Sequence, residues 1–280
     1  MTALLAATRP LQWSKNLLVF AGILFAAEYD EPEKWAAAAA TFVAYCAGSS
    51  AAYVFNDVLD AEQDRLHPLK RHRPVASGAL PMEGALGFAA VLAVIALTIT
   101  AILGLPSLGY MAGFLALQVA YSVRLKHVVL IDVIAIAGLF VIRAAAGAEA
   151  VNVDISPWLI VCTALLALFL ALAKRRGELV SETGVRPVLD GYSLPLVDQL
   201  VTVVVACTIV AYSLYTFNAR EGSAMMATIP FVVFGLFRYL LLMHREDLGE
   251  EPERVLLTDV PILATVAAWA VTSAVILGYS

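Results

Sequence analysis

Residues 53–74 read YVFNDVLDAEQDRLHPLKRHRP, and the fold turns on how this stretch is understood. Its opening residues close one long apolar run, and another begins near residue 82. Between the two lie Asn56, the carboxylates Asp57, Asp60, Glu62 and Asp64, and the basic group Lys70, Arg71, His72 and Arg73. Charge gathered this densely at the end of an oily segment marks the mouth of a membrane span, where ionisable groups are costly and carry function.

The rest of the chain agrees. Of 280 residues, 61% are hydrophobic and only 15% are charged, too few to coat a soluble domain of this length. Mean hydropathy is +0.83. Nine apolar runs are candidate spans: 16–28, 35–55, 82–103, 107–122, 129–146, 157–174, 197–218, 225–244 and 258–278. Each is long enough to cross, or nearly cross, a hydrocarbon core about 30 Å thick. They are continuously apolar rather than alternating, so the expected fold is all-α, a polytopic bundle of nine transmembrane helices and not a β-barrel.

Lysine and arginine sort across these spans. Fourteen fall on one side, including Arg9, Lys15, Arg65, Lys70, Arg71, Arg73, Arg124, Lys126, Lys174, Arg175, Arg176, Arg186, Arg245 and Arg254, against Lys34 and Arg220 on the other. The positive-inside rule then places the N-terminus in the cytoplasm, the C-terminus outside, and the polar chemistry on the cytoplasmic face of the cell membrane. The longest inner loops are 56–81 and 174–196. With no repeat or linker, residues 1–280 read as a single transmembrane domain. Cys46, Cys162 and Cys207 sit inside apolar runs at no metal or disulfide spacing, and read as small core residues. No small-residue cleavage pattern ends the first apolar run, which is expected to be a retained span.

If the second span continues helically past residue 56, Asp57, Asp60 and Asp64 share a stripe about 60° wide, with Asn56 beside them. Such like charges repel unless something positive lies between them. Hard oxygen ligands on one face suit Mg²⁺ shared with substrate phosphates. The plainer alternative is a solvated helix end salt-bridged to Arg65 or Lys70. The basic group at 70–73 is required by topology alone, and contact of Arg73 with phosphate stands beside that explanation.

The stretches NDVLDAEQD (56–64), RPLQWSKN (9–16), YSVRLK (121–126) and KRRGELVSE (174–182) resemble the UbiA superfamily of intramembrane prenyltransferases over nearly the whole chain. The resemblance implies a helical bundle that holds an isoprenyl diphosphate through Mg²⁺ on two acidic motifs. The second motif departs from that pattern, because Lys174, Arg175 and Arg176 precede Glu178, with Glu182 four residues on. This segment looks like the branch of decaprenyl-phosphate phosphoribosyltransferases. Their donor is phosphoribosyl diphosphate, their acceptor is polyprenyl phosphate, and their product feeds arabinan assembly in the cell envelope. The implied site comprises Asn56, Asp57, Asp60 and Asp64 with the metal on the three aspartates. Lys15, Arg73, Tyr121, Lys126, Lys174, Arg175, Arg176 and Glu178 are implied around the substrates, and Arg9 and Gln12 are further candidates.

Charge balance favours that branch. A phosphoribosyl diphosphate and a lipid phosphate together carry roughly six negative charges. One divalent ion does not offset them, and arginine and lysine supply the remainder. Tyr121 reads equally as an interfacial anchor. Asp132 and Arg143 share a face of the fifth span roughly 16 Å apart. Asp132 is a candidate for the ribose or metal region. Arg143 either meets a structural partner such as Glu149 or serves the substrate.

A true prenyltransferase is the nearest competing reading. A CDP-alcohol phosphotransferase would need D-x-x-D-G-x-x-A-R, which the chain lacks. A transporter would place charge near the midplane. Membrane lipid is an expected partner and nucleic acid is not; a homo-oligomer is compatible with such a bundle.

Overall fold

Proline and glycine set the helix boundaries. In the computed structural model, which describes residues 3–26, 31–154, 157–180, 187–218, 222–245, 255 and 258–278, all regular structure among those residues is helical. Helix α1 (Pro32–Leu59) opens on a proline, whose missing N–H is unneeded in a first turn. Helices α2 (Met82–Leu103) and α3 (Leu105–Val123) are joined by Gly104 alone, at φ 139°, a conformation that only glycine adopts without strain. Next come α4 (Ile131–Ala150), α5 (Pro157–Val180) and α6 (Leu194–Phe217). Ser193 caps α6 by accepting the Leu196 N–H. Helices α7 (Ile229–Arg245) and α8 (Val260–Gly278) complete the chain.

Six helices among the described residues are long and apolar enough to cross a membrane: α1, α2, α4, α6, the stretch Ala224–Arg245 containing α7, and α8. Large apolar side chains such as Val94 (61% exposed) and Ile102 (81%) point outward, as in an integral membrane protein. Nine spans were expected, and the runs 16–28, 107–122 and 157–174 are not among these six. The run at 16–28 folds as a 3₁₀ helix, Pro10–Phe20, followed by a short α-helix, Ala21–Ala26. Pro106, Gly109, Gly113, Gln118 and two tyrosines dilute the hydropathy of α3. Arg186, Arg220 and Arg254 of the charge sorting lie outside the described residues.

The chain divides into two compact units. Residues 1–23, 29–126 and 142–154 form the first; residues 24–28, 127–141 and 155–280 form the second. The first unit is built on small side chains. Ala44, Gly48, Ser49, Ala51 and Ala52 are buried along α1, which allows close helix approach. Tyr45 packs against Phe114 with ring centroids 5.0 Å apart. The second unit has a larger aliphatic core around Phe169, Leu172, Val197, Val201, Leu236 and Tyr239. At its edge Arg238 pairs with Asp259 at 2.9 Å, and Asp259 also accepts the Ile262 N–H at the start of α8. The hydrogen bond from Arg238 holds the Asp259 carboxyl below its ordinary pKa.

A very close backbone approach lies in the first unit. A Cβ on Gly147 would stand 2.0 Å from the Val19 carbonyl oxygen, and one on Gly22 would stand 2.8 Å from the Ala148 Cα. Both obstacles are main chain, so no side chain can move aside. Gly147→Ala should lower stability by about 1–3 kcal/mol, read as an earlier midpoint on heating in detergent. Gly113→Ala has open space around the new methyl and should leave the midpoint unchanged or raise it.

Candidate active site

The acidic stretch keeps nearly its helical course. Helix α1 ends at Leu59, Asp60 takes φ −93° and ψ 1°, and a short helix, Ala61–Leu66, follows. The Asp60 N–H still bonds to the Asn56 carbonyl at 2.9 Å, and the Asp64 N–H to the Asp60 carbonyl at 2.8 Å. One residue is therefore displaced without losing the turn-to-turn spacing.

Three carboxylates meet three cations here, all in the first unit. Asp57, only 1% exposed, accepts from Arg9 and, at 3.3 Å, from Arg73 Nη1. That same Arg73 nitrogen donates to Asp64 at 2.6 Å. Lys126 Nζ reaches Asp60 at 2.6 Å and the Asn56 side-chain oxygen at 3.1 Å, while the Asn56 amide donates to Asp60 at 2.9 Å. Arg65 donates instead to the Ala76 carbonyl. The aspartates' cations thus come from distant segments and from Arg73, not from the adjacent Arg65.

Arg9 is held by its contacts in a strained backbone conformation. Its backbone is left-handed, φ 50° and ψ 65°, directly before Pro10. A residue before proline prefers extended backbone, and a non-glycine in this region costs about 1–3 kcal/mol. Its guanidinium lies 5.3 Å from the Tyr53 ring centroid and meets Asp57 beyond it.

Do these residues fit a magnesium ion? Among the described residues, no three His, Cys, Asp or Glu side chains converge as a metal cluster. Magnesium in phosphate-handling sites needs only one or two carboxylates, with water and substrate phosphates completing its shell. Asp57 and Asp64 already share one positive nitrogen, and every donor from Asn56 to Asp64 is a hard oxygen. The donor set fits.

The second unit carries the other charged group. Asp132 and Arg175 are 0% and 1% exposed. Arg175 Nε donates to Asp132 at 2.7 Å, and a second nitrogen donates to Glu178. The Tyr192 hydroxyl donates to the other Asp132 oxygen at 2.7 Å and accepts the Leu130 N–H at 2.8 Å. Arg176 donates to Asp198 at 2.7 Å and to the Met243 carbonyl at 3.1 Å. Two of the three cations expected around substrate thus tie α5 to α4, α6 and α7 within the second unit, while Lys174 and Glu178 are half-buried. Glu182 lies outside the described residues.

Lys15 is half-buried on the Pro10–Phe20 segment, and Tyr121 is half-buried near the end of α3. Arg143, buried in the first unit, donates to Asn16 at 2.8 Å and to Ser49 at 3.4 Å and stacks 4.7 Å from the Phe114 ring centroid. Sequence reasoning did not single out Asn16, Tyr192 or Asp198. Their signal is faint, since each is a lone polar residue whose partner lies far away along the chain.

The model for the UbiA prenyltransferase family matches residues 16–277. The decaprenyl-phosphate phosphoribosyltransferase of Mycolicibacterium smegmatis is 34% identical over 289 residues, covering 96% of this chain and 90% of that one. The Corynebacterium glutamicum protein of the same name is 32% identical, covering 95% and 84%. A UbiA homolog from Archaeoglobus fulgidus, solved with GPP and Mg²⁺, superposes with a TM-score of 0.74 at 17% identity, covering 99% of this chain and 97% of that one. A digeranylgeranylglyceryl phosphate synthase superposes at 0.70 with 15% identity over the whole of both chains.

Proposed function

Because this chain belongs to the UbiA prenyltransferase family, we propose that it transfers 5-phosphoribose from phosphoribosyl diphosphate to a polyprenyl phosphate. Diphosphate is released, and the lipid product serves as a precursor for envelope arabinan. The observation that supports this most strongly is the near full-length similarity to decaprenyl-phosphate phosphoribosyltransferases. The cation-rich segment at 174–178 points the same way. Nine spans, a cytoplasmic site, an inside N-terminus and an outside C-terminus belong to the same proposal and rest on the sorting of Lys and Arg.

In the reaction a lipid phosphate oxygen bonds to C1 of the ribose, and the C1–O bond to diphosphate breaks with its electron pair leaving on oxygen. The nucleophile is already ionised, so no strong general base is required. Asp57 and Asp64, with Asp60, would hold magnesium, which when bound supplies Lewis-acid stabilisation of charge on the leaving diphosphate. Arg9, Arg73 and Lys126 bind phosphate oxygens and stabilise the same developing charge in poorly hydrated surroundings. Asn56 orients Asp60 and Lys126 through its two hydrogen bonds. Lys15 and Tyr121 contact the substrates. Lys174 and Glu178 act on the donor, with Arg175 and Arg176 holding this segment in place through Asp132, Glu178 and Asp198. Catalysis here is chiefly positioning and electrostatics.

Purified protein given ribose-labelled phosphoribosyl diphosphate, Mg²⁺ and polyprenyl phosphate should release diphosphate only when the lipid is present, and label should enter the lipid fraction. Release without lipid, or unlabelled lipid, would reject the reading. Prenyl transfer from an isoprenyl diphosphate in the same preparation would put the chain with the prenyltransferases instead.

A further inference from the structure

We propose that Tyr192 is a positioning residue that sets the Arg175–Glu178 pair for the pentose of the donor; this rests on the phosphoribosyl reading. Four side chains of the second unit form a chain of contacts in which each fixes the next. Tyr192 gives its proton to one Asp132 oxygen, and the other Asp132 oxygen takes Arg175 Nε. Arg175 then holds Glu178.

The backbone is arranged to serve this chain. Leu130 has φ 68°, left-handed for a leucine, and its N–H bonds to the Tyr192 hydroxyl at 2.8 Å. A non-glycine residue in that region is strained, and such strain persists only where surrounding contacts over-determine it. On the opposite side, a Cβ on Gly191 would lie 2.4 Å from Val129 Cγ2, so the Pro187–Gly191 turn seats closely on this segment. Burial, reinforced by the bond to Asp132, raises the Tyr192 phenol above its ordinary pKa and keeps it a proton donor.

Glu178 is the least buried member of the four. Asp132, Arg175 and Tyr192 are at most 6% exposed, while the Glu178 side chain is 13% exposed. The three inner groups therefore act through the outer one. A carboxylate fixed in this way suits the vicinal hydroxyls of a ribose, as acidic residues do in nucleotide-binding folds. Removing the phenol hydroxyl leaves the Leu130 N–H and one Asp132 oxygen short of a partner, a penalty large enough to turn the network.

Tyr192→Phe should raise the KM for phosphoribosyl diphosphate about tenfold and leave the KM for polyprenyl phosphate unchanged. Glu178→Gln should do the same, and the double variant should be no worse than Glu178→Gln alone, because the two act in series. A merely structural role would lower the active fraction without moving one KM and sparing the other. An unchanged donor KM in Tyr192→Phe, or effects that multiply in the double variant, would overturn the proposal. Should Tyr192→Phe fail to fold, Asp132→Asn tests the same chain one link further in, with the same expected donor KM and the same overturning result. Titration calorimetry separates the two levels. Wild-type protein that binds no phosphoribosyl diphosphate overturns both this role and the function. Binding that is equal in wild type and Tyr192→Phe overturns this role alone.

Discussion

Asp57→Asn should cut lipid-dependent diphosphate release by about 10²–10³-fold while the protein still inserts in membrane. Asparagine keeps the size and one oxygen of the buried side chain, so packing is preserved. What is lost is the charge on which Arg9 and Arg73 converge and which would face magnesium. Arg73 keeps Asp64 at 2.6 Å, but Arg9 loses the carboxylate that holds it against Tyr53. On the proposed reaction the metal and the cations would act on charge that develops during transfer, so the loss should fall on kcat more than on either KM. Activity above about a tenth of wild type, measured in protein shown to be folded, would remove Asp57 from the site.

Arg175→Met should be the most destabilising single change in the second unit, by about 3–5 kcal/mol. Asp132 would be left charged and 0% exposed, with Tyr192 as its hydrogen-bond donor. Asp132→Asn should cost less, because Arg175 retains Glu178. The double variant Asp132→Asn with Arg175→Met should be more stable than the Arg175→Met single variant, since breaking one half of a buried pair costs more than replacing both. Thermal unfolding in detergent measures all three. A double variant as unstable as the sum of the singles would show that Arg175 and Asp132 do not act as a pair.

The ends of the polar chemistry were legible in the sequence because the membrane makes charge informative. Asp57, Asp60 and Asp64 stand out at the end of an apolar run, and the structure gathers three cations around them. The resemblance implied Arg73 and Lys126, with Arg9 as a further candidate, but which aspartate each would meet was not legible. Arg9 lies 48 residues from Asp57 and Lys126 lies 66 from Asp60, and no local pattern links such positions. The adjacent Arg65, which helical spacing favours, turns to a carbonyl instead. The first apolar run shows the same limit. Its composition suits an α-helical span, but contact with Gly147 and Ala148 and the burial of Asn16 accompany a 3₁₀ course that hydropathy does not encode. Arg175 and Arg176 were implied around the substrates by the family resemblance and the charge balance. Burial against Asp132 and pairing with Asp198 are tertiary facts.

The tie between Lys126 and Asp60 also bears on biogenesis. At a translation rate of about 5–20 residues per second, Arg9 leaves the ribosome before Asp57 exists, and Arg73 follows Asp64 within roughly two seconds. The 66 residues between Asp60 and Lys126 impose a wait of roughly 3–13 s. Until then Asp60, just past the nascent α1, is steadied by the neighbouring Asn56 amide. The acidic cluster is therefore completed in two instalments, the second arriving only after the α2–α3 hairpin has been made.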